Sequence, residues 1–214
     1  MDKLVTASAA VSDTPSGSTI VLPGPGITGF PALLVAALRA LPAERFTLVC
    51  PGPEALGDGV RAWLASGQVA RLIIDEAGPE DGRIEGVETE YVAPALLGQR
   101  LQAAAAGAAT FLAPVGTYAR PAADGSGAMF FGGDEFGPVP ALVPDLALVR
   151  AAQGDAKGNA VFADALRERA LTAAKAARRT LAEVDELLPV LHPRHVQLPA
   201  RYVTAVVEAA KVRG

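Results

Sequence analysis

The stretch that decides the fold reads Thr19-Ile20-Val21-Leu22-Pro23-Gly24-Pro25-Gly26-Ile27-Thr28-Gly29-Phe30-Pro31. Its β-branched beginning, residues 19–22, predicts a strand, and the glycines that follow predict a loop. Pro31 suits the first turn of a helix, whose apolar face continues until Pro42 stops it. A strand, a glycine loop and a helix N-terminus therefore follow one another.

The elements after this stretch alternate between strand and helix. Phe46–Cys50 predicts a second strand, so that residues 19–50 form a strand-helix-strand unit with parallel pairing. Further predicted strands are residues 70–74, 110–112 and 146–149, and predicted helices are residues 95–106 and 164–178. This alternation is typical of an α/β fold with an open, mainly parallel sheet and helices on both faces. We expect a single domain over residues 1–214.

Three segments give weaker signals. Residues 76–86 and 118–140 are rich in Gly, Pro and Asp, which predicts loops or hairpins. Residues 180–188 permit either a strand or a continuation of the preceding helix, because their periodicity does not separate the two.

Composition narrows the class of protein. The 214 residues are 50% hydrophobic, and 19 basic against 23 acidic residues give a formal net charge of -4. No basic run marks a nucleic-acid partner. Cys50 is the only cysteine, which excludes an intrachain disulfide and a zinc site built from cysteines. No stretch approaches the length of a membrane span. We expect a soluble, cytoplasmic protein.

The glycine loop is the strongest candidate site. Its backbone N–H groups, close to a helix N-terminus, are able to hold an anionic or carbonyl oxygen without a charged side chain. The flanking prolines indicate a rigid loop, which suits donors aimed at a developing oxyanion. Gly24, Gly26 and Gly29 also satisfy the G-x-G-x-x-G pattern of dinucleotide sites, but the next strand ends at Cys50 without the ribose-binding acid. A plain turn between core elements is the simplest alternative.

Five other polar residues have simple structural interpretations. His192 and His195 are spaced H-x-x-H around a proline and are interpreted as surface loop residues. Glu183, Asp185 and Glu186 lie beside apolar residues and are interpreted as one solvated face.

The remaining candidates do not supply a catalytic group either. Asp134 and Glu135 follow two glycines and are interpreted as part of a loop turn. Cys50 is expected to be a packed small residue, and Trp63 and the phenylalanines are expected in the core. The chain thus carries a loop prepared for an anion but no evident nucleophile or base, which indicates an incomplete site.

Several stretches together resemble the alpha chain of class I coenzyme A transferases of the 3-oxoacid type. Residues 23–31 resemble the family's glycine loop, and residues 99–107 resemble its helix. The block over residues 144–150 with Asp155-Ala156-Lys157-Gly158-Asn159 is the most specific match. Residues 180–186 resemble a family strand, which favours a strand there.

The resemblance implies a two-chain enzyme. A glutamate of the beta chain attacks an acyl-CoA, CoA returns to form an enzyme thioester, and a second carboxylic acid collects it. The alpha loop then lines the site and stabilises the oxyanion, through Gly24, Pro25, Gly26, Ile27, Thr28 and Gly29. CoA is a substrate and no cofactor is implied; the assembly is a heterodimer or a heterotetramer. The alternatives are a noncatalytic scaffold or regulatory paralogue, a two-chain acyl-CoA hydrolase, and a dinucleotide-binding domain.

Overall fold

The computed structural model describes residues 2–24, 29–51, 57–74, 86–93, 95–116 and 129–209. Its helices are α1 (Ala7–Val11), α2 (Ala32–Arg39), α3 (Asp58–Leu64), α4 (Leu96–Ala105) and α5 (Asp164–Ala176). Its strands are β1 (Thr19–Val21), β2 (Phe46–Cys50), β3 (Val69–Ile74), β4 (Glu88–Tyr91), β5 (Thr110–Pro114), β6 (Met129–Phe131), β7 (Asp134–Pro140), β8 (Leu146–Asp155), β9 (Ala160–Val161), β10 (Arg179–Leu188) and β11 (Ala205–Glu208). Short 3-10 turns span Pro193–His195 and Ala200–Tyr202.

Most strands form one large sheet in the order β11-β10-β8-β1-β2-β3-β4. Every neighbouring pair along this order is parallel, and β9 adds an antiparallel pairing with β8. Val21 of β1 lies beside Val49 of β2, so the predicted parallel strand-helix-strand unit is confirmed. The mainly parallel α/β fold is confirmed with it.

Helices cover both faces of the large sheet. Ile20 and Leu48 face the side on which α1, α2 and α3 pack, whereas Val21 and Val49 face α4 and α5. Strands buried on both faces have nearly continuous apolar sequences, as β2 and residues 146–149 of β8 do. Within the described ranges, no helix has both the length and the apolar character needed to cross a membrane.

Strands β5, β7 and β6 form a separate antiparallel sheet. The sequence predicts a strand at 110–112, which is confirmed as part of β5, but its expected place in the mainly parallel sheet is wrong. The reason is that β5 is half-exposed and pairs with β7, as antiparallel strands with one solvated face do.

The two predicted loop segments are described only in part. Residues 129–140 form a hairpin, as predicted, with Gly132 and Gly133 at φ 60° and 96° in its turn. The earlier part of that segment, residues 118–128, lies outside the described residues, as does 76–85 of the other segment.

The small sheet exposes several apolar side chains: Leu112, Met129, Phe130 and Phe131. Phe130 is 71% exposed, so the expectation that all phenylalanines lie in the core is wrong for this residue and for Phe131. Trp63 is confirmed in the core, where its ring meets Phe46 edge-on at 6.0 Å.

Residues 179–188 are a strand, which settles the ambiguity left by the sequence. β10 lies between β8 and β11 and buries residues 180–184 on both faces. Burial between two strands outweighs the helix propensity of residues such as Leu181 and Ala182, because strand preference is set by packing.

Candidate functional site

The glycine loop leaves the large sheet at the point where the direction of strand addition reverses. From β1 the chain proceeds through β2 and β3 to β4 on one side, and from β8 it proceeds through β10 to β11 on the other. Ligands of open α/β sheets bind beyond the carboxyl ends of the strands at such a reversal. Gly24 lies just beyond the carboxyl end of β1, so the loop begins at this position.

Gly24 and Gly29 lie against each other and close the neck of the loop. A Cβ atom on Gly29 would lie 2.6 Å from the Gly24 carbonyl oxygen and 2.8 Å from Cδ1 of Leu166 in α5. A Cβ atom on Gly24 would lie 3.0 Å from the Gly29 Cα. These two glycines are therefore required by close backbone packing. The other predicted loop residues lie outside the described residues: Pro25, Gly26, Ile27 and Thr28.

The N-terminus of α2, just after the loop, is occupied by a carboxylate of the chain itself. Oε2 of Glu183 accepts hydrogen bonds from the backbone N–H groups of Leu33 at 2.9 Å and of Leu34 at 3.1 Å. These two donors of the helix end are therefore already used within the chain. The anion site at the amides of the glycine loop stays a prediction.

Glu183 also contradicts the interpretation of the carboxylates as one solvated face. Asp185 and Glu186 are exposed, but Glu183 is only 1% exposed. Its burial raises the pKa of the carboxyl, and the N–H groups of α2 and the charge of Arg150 oppose that rise. A strand buried on both faces sends alternate residues into the two helical layers, which places Glu183 under α2.

Arg150 of β8 connects the end of the loop to β10. Its Nη1 donates to the carbonyl oxygen of Phe30 at 3.0 Å, and its Nε donates to Oδ1 of Asp185 at 2.8 Å. Arg150 lies beside Glu183 in the β8–β10 register. Sequence reasoning assigned no role to Arg150 or Leu166. The available signal for Arg150 was a charged residue directly after the apolar run of residues 146–149.

Phe30 is held from its side chain as well as from its carbonyl group. Its ring lies on Gly59 of α3, where a Cβ atom would overlap the ring. Arg150 holds the backbone of the same residue. The chain after the loop is therefore fixed to β8, β10 and α3 together.

The most specific block of the resemblance forms a turn at the end of β8. Asp155 is 1% exposed and accepts hydrogen bonds from the backbone N–H groups of Lys157, Asn159 and Leu191 and from the Asn159 side chain. Burial alone would raise the pKa of Asp155, but these hydrogen bonds outweigh it and lower the pKa. Asn159 in turn accepts from the N–H of Ala200. These two side chains hold the turn together.

The other candidates stay outside the site. Cys50 is fully buried, as expected for a packed residue, and burial raises the pKa of its thiol to about 12. His192 and His195 are exposed, as predicted for surface residues; His192 caps the 3-10 turn and His195 ends it. Asp134 and Glu135 begin β7 directly after the hairpin turn. In the described part of the chain, no three His, Cys, Asp or Glu side chains group as metal ligands.

Comparison with known proteins identifies the family. Residues 4–209 match the family described as Coenzyme A transferase. The chain belongs to the coenzyme A transferase family. It is 32% identical to one subunit of the succinyl-CoA:3-ketoacid coenzyme A transferase of Xanthomonas campestris, over 89% of this chain and 81% of that protein. It is 29% identical to one subunit of the 3-oxoadipate CoA-transferase of Pseudomonas putida, over 94% and 90% of the two chains.

Some relatives of this CoA-transferase chain are much longer. The human mitochondrial succinyl-CoA:3-ketoacid coenzyme A transferase 2 is 29% identical over 94% of this chain, which covers 44% of the human protein. Acyl-CoA transferase YdiF of Escherichia coli O157:H7 shares the fold, with a TM-score of 0.76 and 22% identity over 97% of this chain and 47% of YdiF.

A variant of the decarboxylase AibA/AibB also has a TM-score of 0.76, with 25% identity over 98% of this chain and 84% of the matched chain.

Proposed function

We propose that this chain works with a beta companion to move CoA between a short-chain or 3-oxoacyl-CoA and a free carboxylic acid. The observation that carries the proposal is the position of the glycine loop, at the sheet reversal of a chain that belongs to the coenzyme A transferase family. The curated relatives named above act, by their names, on succinyl-CoA with 3-ketoacids or on 3-oxoadipate. Both names describe CoA-transferases for acids that carry a 3-oxo group.

The proposed reaction uses a glutamate of the companion as nucleophile. Its carboxylate attacks the thioester carbonyl, CoA leaves as a thiolate, and a mixed anhydride remains. The thiolate then attacks the glutamyl carbonyl, which releases the acyl group as a carboxylate and leaves a glutamyl-CoA thioester. The second carboxylate repeats these two steps in reverse order and departs with CoA. Coenzyme A is thus a substrate, and the two half-reactions balance without a redox step.

The glycine loop is proposed to line the site and to stabilise the negative oxygen of each tetrahedral intermediate. The donors Leu33 and Leu34 already bind Glu183. Pro25 has no N–H group. The amides of Gly26, Ile27 and Thr28 are the donors that the proposal assigns to the oxyanion.

A companion chain is supported by the lengths of the relatives. The two bacterial relatives that are named as subunits are covered over 81% and 90% of their length, whereas the human enzyme is covered over 44%. The part of the human enzyme that this chain does not cover corresponds to the companion, which is expected here as a separate chain.

The test combines the purified chain with its beta companion and an acyl-CoA of the succinyl or acetoacetyl type. The complex is expected to transfer CoA to a free carboxylate and to lose activity when borohydride is added with acyl-CoA, since borohydride reduces the enzyme thioester. Each chain alone is the control and is expected to be inactive.

Other products would identify the other candidate reactions. Release of free CoA without an acceptor would indicate a hydrolase, and release of carbon dioxide would indicate a decarboxylase such as the structural relative AibA/AibB is named to be. Absence of any trapped thioester in a well-formed complex would favour the noncatalytic scaffold. Transfer by the isolated chain would contradict the proposal.

A further inference from the structure

The segment that leaves the glycine loop is held by a pair of charged side chains from the neighbouring strands. Glu183 of β10 binds two free amides in the first turn of α2, those of Leu33 and Leu34. Pro31 stands at the N-cap position of this helix without a side-chain hydrogen bond, so it does not supply the cap. The carboxylate therefore fixes where α2 begins.

Arg150 holds the residue immediately before that helix end. Its guanidinium donates to the Phe30 carbonyl oxygen and, through Nε, to Asp185. Because the guanidinium is planar and its donors point in fixed directions, Arg150 sets the position of Phe30 relative to β10. Glu183 and Arg150 thus fix two successive points of the same backbone segment.

We propose that Glu183 and Arg150 are positioning residues, which hold residues 29–34 so that the glycine loop presents its amides to the reacting carbonyl. The proposal rests on the assignment of that loop to the transferase site. Neither side chain is assigned a contact with substrate. Small displacements of groups that orient a reacting centre reduce rates strongly, so the effect is expected mainly on turnover.

Burial argues that the carboxylate has a role beyond holding the fold. A buried carboxylate is costly to desolvate, and a buried ionic group is weak evidence of stabilisation. Glu183 is nevertheless buried, with 1% of its surface exposed, and its carboxylate is directed at the N-terminus of α2. The groups that face it are the α2 amides, Arg150 and, along its own strand, Asp185.

The test compares Glu183→Gln with Glu186→Gln, each in complex with the beta companion. Glu186 lies on the same strand, is exposed, and accepts a hydrogen bond from Gln153, so it is a matched control. Glu183→Gln is expected to lower kcat by about tenfold or more, with KM for the acyl-CoA changed less than about threefold. Arg150→Lys is expected to be less active than the parental complex, because it loses the planar pair of donors, but more active than Arg150→Met, because its ammonium still donates.

Hydrogen exchange supplies a readout that does not depend on activity. The amides of residues 33 and 34 are expected to exchange faster in Glu183→Gln than in the parental chain and in Glu186→Gln. Unchanged exchange at these two amides would overturn the proposal. So would a kcat equal to that of the Glu186→Gln complex, or a rate loss fully accounted for by a smaller folded fraction.

Trapping the parental complex separates this proposal from the proposed function. If the parental complex forms no thioester that borohydride traps, the proposed function fails and the positioning role falls with it. If the parental complex forms the thioester and Glu183→Gln forms it at the same rate, only the positioning role is wrong.

Discussion

At the scale of single residues, Glu183 has a charge that burial disfavours. Burial raises the pKa of its carboxyl in the folded chain, although the α2 amides and Arg150 act in the opposite direction. The folded state therefore binds this proton more tightly than the unfolded state does, and Glu183 contributes most to stability when protonated. That contribution is lost as the pH rises from the ordinary glutamate range through the pKa of Glu183 in the folded protein.

Glu183→Gln removes this titration, so the variant and the parental chain are expected to differ in pH dependence. The free energy of unfolding of the parental chain, relative to the variant, is expected to fall as the pH rises through that window. Urea denaturation at a series of pH values measures the difference, with Glu186→Gln as the control. A relative stability that rises with pH would contradict the direction of the shift.

Asp155 predicts the opposite pH dependence. Burial raises the pKa of its carboxyl less than the hydrogen bonds from Asn159, Leu191 and Lys157 lower it, so the folded chain favours the carboxylate. Its contribution to stability is therefore present at neutral pH and is lost as the pH falls through its pKa in the folded state.

Asp155→Asn is expected to destabilise the chain at neutral pH by about 2–4 kcal/mol, because an amide NH₂ or a neutral oxygen replaces a carboxylate among several N–H donors. The difference in free energy of unfolding between the parental chain and Asp155→Asn is expected to shrink in acid. Denaturant unfolding of the isolated chain measures it, and Asp164→Asn is the control because the Asp164 side chain is 94% exposed. Equal losses in both variants would show that the turn does not depend on the Asp155 charge.

At the scale of elements, the glycine loop is closed by backbone contact at its neck. Gly29→Ala places a methyl group 2.6 Å from the Gly24 carbonyl oxygen. Backbone atoms cannot move aside as a flexible side chain does. The change is therefore expected to lower the free energy of unfolding by about 1–3 kcal/mol and transferase activity by about tenfold or more.

Gly98→Ala in α4 is the matched control for Gly29→Ala. A Cβ atom on Gly98 meets nothing within 4 Å, and its φ angle is not positive. The free energy of unfolding of this control is expected to rise by about 0.5–1 kcal/mol, because alanine has a higher helix propensity than glycine. Thermal unfolding and the transfer rate of the complex measure both variants. A Gly29→Ala variant as stable and as active as Gly98→Ala would show that the neck is open in solution.

Sequence reasoning predicted the elements that carry a local signal. The β-branched run before the glycines and the apolar helix after them form β1 and α2 because their periodicity and their proline signals agree. It failed where partners distant in sequence decide. β5 joined the small sheet because β7 pairs with it, and Glu183 is buried because α2 lies over β10. Family resemblance, rather than propensity, favoured the strand at β10.

The candidate site was predictable only in part for the same physical reason. The order of glycines and prolines indicated a loop at a strand end, and the structure places Gly24 and Gly29 there. The contacts that fix the neck of the loop and the segment after it come from Leu166, Arg150 and Glu183, which lie more than 100 residues later in the chain. No local pattern encodes such contacts, since tertiary packing determines them.

At the scale of the whole molecule, the described part of the isolated chain contains a sheet covered on both faces by helices, so we expect it to fold without its companion. A companion that binds only the folded chain stabilises it by about 2.7 kcal/mol at a concentration one hundred times Kd. The Tm of the chain is therefore expected to rise as companion is added. Above Kd it is expected to keep rising with the logarithm of the companion concentration. Differential scanning fluorimetry across a titration, with serum albumin as control, measures this rise. An isolated chain without a cooperative transition would contradict the expectation of independent folding, and a Tm unaffected by saturating companion would contradict the two-chain assembly.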